Sequence, residues 1–280
     1  MSWADERFHS GLTAFRRPAL PHMNPFLSQL FSLQGSVALC TGSASGIGRR
    51  MALALAQAGA DLVLVDREPR GLAEAEREIG ELADGRSATL TADLLDRNGI
   101  ESLVESAGGF FGAPDILVNA AGVNLREPVE DVSWDSWDQT LNLNLAVPFF
   151  LARSCVAGMR TKGRGRIINI ASLQSFRAFP NSLPYGASKG GVAQLTRAMA
   201  EAWSGDGITA NAIAPGFFPT GLTQSVFQNP ELVSHNARMT AIGRNGELTD
   251  LDGTTVFLAS PASSYVTGQI LPVDGGYSAK

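Results

Sequence analysis

The chain has 280 residues, 44% hydrophobic and 18% charged, a balance that excludes intrinsic disorder and fits one large α/β domain or two small ones. With 22 basic and 27 acidic residues the formal net charge is −5, the wrong sign for a phosphate-tracking surface, so no nucleic-acid partner is expected. Cys40 and Cys155 form no CxxC pair, and His9, His22 and His235 are scattered, which argues against a disulfide framework, a metal site or a histidine triad and makes a reducing cytoplasm the expected compartment.

Residues 1–34 contain Arg7, Arg16, Arg17 and several phenylalanines, somewhat like a transit peptide, but Asp5, Glu6, Pro18 and Pro21 interrupt any amphipathic targeting helix. They are expected to form a poorly ordered arm, with Met23 an alternative start. No run of 18 apolar residues occurs, so no membrane span is expected. From residue 35 to 280 short β-branched runs alternate with helical periodicity. Strands are expected at Val37–Thr41, Asp61–Asp66, Ser87–Ala92, Ile116–Asn119, Arg166–Ser172, Thr209–Ala214 and Gln269–Val273. Helices are expected at Ile47–Ala58, Gly71–Leu82, Asn98–Phe111 and Tyr185–Trp203. Repeated strand–helix–strand order predicts a single doubly wound α/β domain, a parallel seven-stranded sheet with helices on both faces. Leu62-Val63-Leu64-Val65 is apolar throughout, as a strand covered on both sides should be.

The first strand runs into Gly42-Ser43-Ala44-Ser45-Gly46-Ile47-Gly48 and then a helix. A glycine-rich turn opening a helix brings free N–H groups and the positive end of the helix dipole to an anion, so Gly42, Ser45, Gly46, Ile47 and Gly48 are candidates for holding a pyrophosphate. The spacing is GxxxGxG and not the usual GxGxxG, and alone it would suit an ordinary turn. The second strand, however, ends on Asp66, 18 residues past Gly48, close to where a dinucleotide site places an acid on the adenosine ribose. A carboxylate there repels a 2′-phosphate and favours NAD; Arg67, the next residue, keeps NADP open.

Tyr185 and Lys189 are spaced i, i+4 at the start of a long helical pattern and so share a face. Ser172, thirteen residues upstream, ends an apolar strand, and ligands of doubly wound sheets meet the carboxyl ends of strands. Oxidising an alcohol needs a base for its proton. A lysine ammonium about 4 Å from a tyrosine is worth roughly 4 kcal/mol at an effective dielectric near 20, enough to lower the phenol by up to roughly three pH units before desolvation subtracts. Tyr185 is therefore the candidate acid/base, Lys189 its tuner and Ser172 the hydrogen-bond partner of the reacting oxygen.

Thr41–Gly48 as TGxxxGIG, Asn119-Ala120-Ala121-Gly122, Ser172, the YxxxK of Tyr185 and Lys189, Asn211–Gly216 with Thr220, and Val273-Asp274-Gly275-Gly276 together resemble the short-chain dehydrogenase/reductase family over residues 33–280. The resemblance implies an NAD(P)-dependent oxidoreductase acting on an alcohol or ketone, assembled as a homotetramer. It implies that Asn144 supports a proton relay through Lys189, and that Lys189 also holds the nicotinamide ribose. It implies Asp93 and Leu94 near the adenine, Asn119, Ala120 and Ala121 near a ribose, and Pro215, Gly216, Phe218 and Thr220 around the nicotinamide and pyrophosphate.

Within the family the chain is similar to gluconate 5-dehydrogenase and related sugar-acid or polyol dehydrogenases, through stretches such as Ser172-Leu173-Gln174-Ser175, Pro184–Gly190 and Pro215-Gly216-Phe217-Phe218. A sugar acid needs a partner for its carboxylate, and Arg126 and Arg177 are the candidates, with Gln174 and Phe217 beside them and a substrate loop over residues 217–247. A 3-oxoacyl-thioester or other ketone reductase is the rival reading. A non-catalytic nicotinamide sensor is disfavoured, because it has no use for Asn144, Ser172, Tyr185 and Lys189 together.

Overall fold

A computed structural model describes residues 24–83 and 85–280. Strands β1 (Val37–Thr41), β2 (Asp61–Asp66), β3 (Ser87–Thr91), β4 (Ile116–Asn119), β5 (Gly165–Ile170), β6 (Ile208–Pro215) and β7 (Ile270–Val273) form one sheet in the order β3-β2-β1-β4-β5-β6-β7, with every pairing parallel. The order reverses between β1 and β4, the switch point where a crevice opens at the carboxyl ends of the strands. Helices α1 (Pro25–Phe31), α2 (Gly46–Gln57), α3 (Pro69–Leu82), α4 (Ile100–Phe111), α5 (Trp134–Leu141), α6 (Val147–Lys162), α7 (Leu183–Trp203), α8 (Gln224–Phe227), α9 (Pro230–Met239) and α10 (Asp252–Ala259) complete the fold.

Strand alternation builds the two cores. Ala38, Cys40, Leu62, Leu64 and Ile168 face α2, α3 and α10. Leu39, Val63, Val65 and Ile167 point the other way, toward α4, α6 and α7. Three strands begin and end where the sequence predicts. β5 stops two residues before Ser172, which instead caps a 3-10 turn over Leu173–Ser175.

Two expectations need correction. Residues 1–23, with Met23, lie outside the described residues, but the remainder of the expected arm is ordered. Asn24 caps α1 by accepting from the Phe26 amide at 2.9 Å, Pro25 suits its first turn, and the buried Leu33 donates its N–H to the Ala58 carbonyl at 2.9 Å. Secondly, α5 and α6 join into one helix of 29 residues, Trp134–Lys162, whose best window has mean hydropathy 1.3, long and apolar enough to cross a membrane. Interrupting polar residues hide this from a search for an unbroken apolar run. Here its face Val147, Leu151, Ala152, Cys155, Val156 and Met159 is buried in the core. Both cysteines are free and buried, and burial pushes the thiols up, Cys155 to about 12.

Candidate active site

The crevice at the switch point has a volume of about 420 Å3 and runs from Asp66 to Tyr185. Its floor is the turn between β1 and α2. Gly42 has φ +69°, and a Cβ there would lie 2.7 Å from the Ala121 amide nitrogen. A Cβ on Gly48 would lie 2.7 Å from the Gly42 carbonyl carbon, so backbone meets backbone where a side chain would stand. Ser45 places no side-chain cap on α2, and that first turn carries no acidic residue. A cradle of this shape, with uncapped amides and a helix dipole behind it, fits an anionic pyrophosphate. Thr41 Oγ1 accepts from the Ala120 and Ala121 amides at 3.2 and 3.3 Å, joining the β1 turn to the β4 turn across the switch point.

At one end of the crevice, the Asp66 carboxylate accepts from the Ala44 and Glu68 amides, both at 3.1 Å. Two backbone donors fix its orientation and leave lone pairs for a ribose diol. Arg67, Asp93 and Leu94 also line the crevice, as do Gly46, Ile47 and Thr220, the last with its side chain against Gly46.

At the other end stand Ser172, Tyr185 and Lys189. Tyr185 is the third residue of α7, whose first turn contains Pro184, and α7 carries Lys189 one turn on. Lys189 is buried; its Nζ donates to the Ile170 carbonyl at 2.6 Å and lies 5.6 Å from the centre of the Tyr185 ring. Burial lowers the lysine to about 8. Tyr185 is raised, not lowered, chiefly by burial, against which the Ser172 hydroxyl and the Arg126 guanidinium pull it down. Desolvation outweighs both of these groups, and the Lys189 ammonium sits over the ring while bonded to a carbonyl, so the i, i+4 spacing alone does not lower the phenol.

Asn144 lies on a π-helical turn, Asn142–Ala146, between α5 and α6, a local form common at functional sites. Its Oδ1 accepts from the Val123 amide at 2.8 Å, while Nδ2 donates to the Val123 carbonyl at 2.8 Å and the Ser188 hydroxyl at 3.1 Å. The side chain is committed to holding the β4 turn against α7. In this place it stands beside Lys189, across the Ser188 hydroxyl.

Ala120, Ala121, Pro215, Gly216, Phe217, Phe218, Gln174 and Arg126 line the crevice as expected. Asn119 does not. It is buried behind the strand end, donating to Asn169 Oδ1 at 2.9 Å and the Pro148 carbonyl at 3.3 Å, so strand alternation turns it into the core. Arg177 is also outside the crevice: it is exposed, with its guanidinium 5.2 Å from the centre of the Tyr277 ring. Arg126 has φ +56°, follows an Asn124 turn in which Asn124 Oδ1 accepts its amide at 3.3 Å, and buries Nε with no hydrogen-bond partner among the described residues. Asn124, Gln139 and Phe179 also line the crevice and were missed in the sequence. Asn124 and its Asx turn before Arg126 were the one legible clue; the others arrive by tertiary packing alone.

The family profile described as enoyl-(acyl carrier protein) reductase matches residues 42–278. A gluconate 5-dehydrogenase of Gluconobacter oxydans is 40% identical over 248 residues, covering 88% of this chain and 96% of that one. A 2-dehydro-3-deoxy-D-gluconate 5-dehydrogenase of Escherichia coli is 42% identical over 252 residues, covering 89% and 98%. The crystal structure of a gluconate 5-dehydrogenase from Burkholderia cenocepacia, in complex with NADP and tartrate, superposes with a TM-score of 0.85 at 37% identity, covering 91% of this chain and 99% of that one. The chain belongs to the short-chain dehydrogenase/reductase family. It is an NAD(P)-dependent oxidoreductase of that class, acting on CH–OH groups.

Proposed function

We propose that this enzyme interconverts a secondary hydroxyl of a sugar acid and the corresponding ketone, with Tyr185, Ser172 and Lys189 as its catalytic residues and Asn144 positioning them. Arg126 carries the reading. It puts a cation in the wall of the crevice near Tyr185, where its guanidinium would meet a substrate carboxylate. Gln174, Asn124 and Gln139 add neutral donors and acceptors suited to further hydroxyl groups. Two relatives named for gluconate or a deoxy-gluconate, and one holding tartrate, support the same class.

The nicotinamide ring, when bound, supplies the hydride acceptor or donor. Gly42, Ser45, Gly46, Ile47 and Gly48 would hold the pyrophosphate, Asp66 the adenosine ribose and Lys189 the nicotinamide ribose. Tyr185, raised by burial, keeps its proton near neutrality and is set to give it to a ketone oxygen; in the oxidative direction Tyr185 must first lose that proton, after which its oxygen takes the hydroxyl proton. Ser172 Oγ bonds the reacting oxygen while its own acceptor capacity is partly used by the Gln174 amide at 3.1 Å. NAD is the preferred cofactor in this proposal because Asp66 opposes a 2′-phosphate; NADP is the second, supported by Arg67 at the crevice edge and by the relative holding NADP. We also propose a cytoplasmic homotetramer, supported by two buried free thiols and by the exposed Trp134, Phe150 and Leu183 on α5, α6 and α7.

A screen at 340 nm of D-gluconate, 2-dehydro-3-deoxy-D-gluconate, galactitol and an acetoacetyl thioester, with NAD and NADP, tests the proposal. Sugar acids are expected to turn over best. Turnover of the thioester alone would replace this reading with the reductase one, which the aromatic wall of Phe179 and Phe217 favours. Arg126→Gln should raise KM for a sugar acid about tenfold or more, the loss of a hydrogen bond to a charged group, and leave KM for galactitol near its original value.

A further inference from the structure

The substrate end of the crevice is walled by two phenylalanines from distant parts of the chain, Phe179 after the turn that follows Ser172 and Phe217 at the start of the 217–247 segment. Neither wall is continuous with rigid sheet or helix. Both lean on Tyr277. Its ring centre lies 5.7 Å from that of Phe217 and 6.2 Å from that of Phe179, whose own rings are 5.9 Å apart and nearly perpendicular. Tyr277 is buried on one side by this triad and met by the Arg177 guanidinium at 5.2 Å. Edge-to-face and tilted rings at such separations attract beyond their buried area.

The segment Asp274–Lys280 that carries Tyr277 is itself fastened. Asp274 accepts from the Gly276 and Ser278 amides at 2.9 and 2.8 Å, which closes a turn and orients the tyrosine. The Gly275 carbonyl accepts from the Ala241 and Ile242 amides at 2.8 and 3.1 Å. Lys280 Nζ donates to the Thr240 and Arg238 carbonyls at 2.8 and 3.2 Å, at the carboxyl end of α9, where a cation also meets the negative end of the helix dipole. At the other end of the loop, the Gly246 amide donates to the Phe217 carbonyl at 2.9 Å. One short segment thus grips the far part of the 217–247 loop through backbone and lysine, and its near part through an aromatic ring.

We infer that Asp274–Lys280 is a strap for the substrate wall, and that Tyr277 is a positioning residue that fixes Phe179 and Phe217 at the spacing needed to receive the C–H face of the substrate chain. Tyr277 does not line the crevice, and it acts through the two phenylalanines that do. The inference rests on the proposal above that the substrate lies at this end.

The test uses the full chain with Tyr277→Ala, Tyr277→Phe and Lys280→Met, read in two independent ways. Hydrogen exchange followed by mass spectrometry needs no substrate. Tyr277→Ala should speed exchange of amides in 217–227, and Lys280→Met in 238–242, while α2 and the central strands exchange as before. Kinetics with D-gluconate as probe should show KM raised about tenfold in Tyr277→Ala, with kcat within about threefold and the cofactor Kd within about twofold, because a displaced wall loosens substrate and not the distant pyrophosphate seat. Tyr277→Phe keeps the ring and should restore KM; Lys280→Met should raise KM by a smaller factor. Unchanged exchange in Tyr277→Ala and Lys280→Met overturns the strap. An equal loss of cofactor and substrate affinity, or no rescue by Tyr277→Phe, overturns the positioning role. If the original enzyme does not turn over gluconate, the sugar-acid proposal fails by itself and the exchange measurement still decides the strap. Should Tyr277→Ala fail to fold, Lys280→Met on the exposed end of the segment carries both readouts.

Discussion

Lys189 is the residue whose burial has the most measurable cost. It is 4% exposed and its ammonium is answered by one backbone carbonyl, at 2.6 Å, which replaces only part of its hydration. Burial lowers it from 10.5 to about 8. The unfolded chain therefore binds one proton more than the folded one between about pH 8 and 10.5, and stability must rise with pH through that window. At roughly 1.4 kcal/mol per unit, the lysine costs the folded state about 3 kcal/mol at pH 7, a cost that disappears above pH 10.5 where both states are neutral. Lys189→Met removes the titration without removing the bulk. It also leaves the Ile170 carbonyl unpaired, at about 1–3 kcal/mol, but that penalty does not vary with pH. Urea unfolding of both proteins from pH 7 to 10.5 should show the variant's stability, relative to the original, falling by about 3 kcal/mol across the window, other titrating groups cancelling in the difference. A difference that stays flat within about 0.5 kcal/mol would refute a desolvated lysine. The variant should have little activity at any pH.

Tyr185→Phe conserves shape and removes the proton; turnover should fall about 10²- to 10⁴-fold with the cofactor Kd almost unmoved in a fluorescence titration, and retained turnover would remove its acid/base role. Asp66→Ala should raise the NADP-to-NAD ratio of kcat/KM by about tenfold, some 1.4 kcal/mol of relieved repulsion, and a ratio that does not move would remove the carboxylate from cofactor choice. Gly48→Ala sets a methyl against the Gly42 carbonyl carbon at 2.7 Å, with no flexible side chain to give way. It should destabilise the protein by about 1–3 kcal/mol in thermal unfolding and weaken NAD binding; a neutral substitution would show the turn to be looser than described.

The sheet was legible because the order of strands and helices, and apolar runs such as Leu62–Val65, follow from burial on both faces. The nucleotide end was legible for a related reason, since glycines at Gly42 and Gly48 mark backbone contact that no other residue permits. What escaped was direction and state. Asn119 ends its strand where a ligand would be met, yet its side chain points into the core to pair with Asn169, and one-residue alternation is invisible without the register. Arg126 and Arg177 were equal candidates in sequence; a left-handed backbone at one and an aromatic ring beside the other separate them. The sign of the Tyr185 shift could not be read from the YxxxK spacing, because desolvation depends on everything packed around the pair.

The π turn at Asn142–Ala146 sets a counting rule for the long helix that contains it. Such a turn holds one residue more than an α turn, and each residue of an α-helix advances about 100° around the axis. Remove one residue between Leu141 and Val147 and the wide turn can close to a regular one with the faces of α5 and α6 nearly kept, because the wider turn is what absorbs the extra residue. The loss falls on Asn144, whose side chain the widened turn sets against both the amide and the carbonyl of Val123. A one-residue deletion here should therefore loosen the β4 turn while leaving the apolar side of α6 on the sheet.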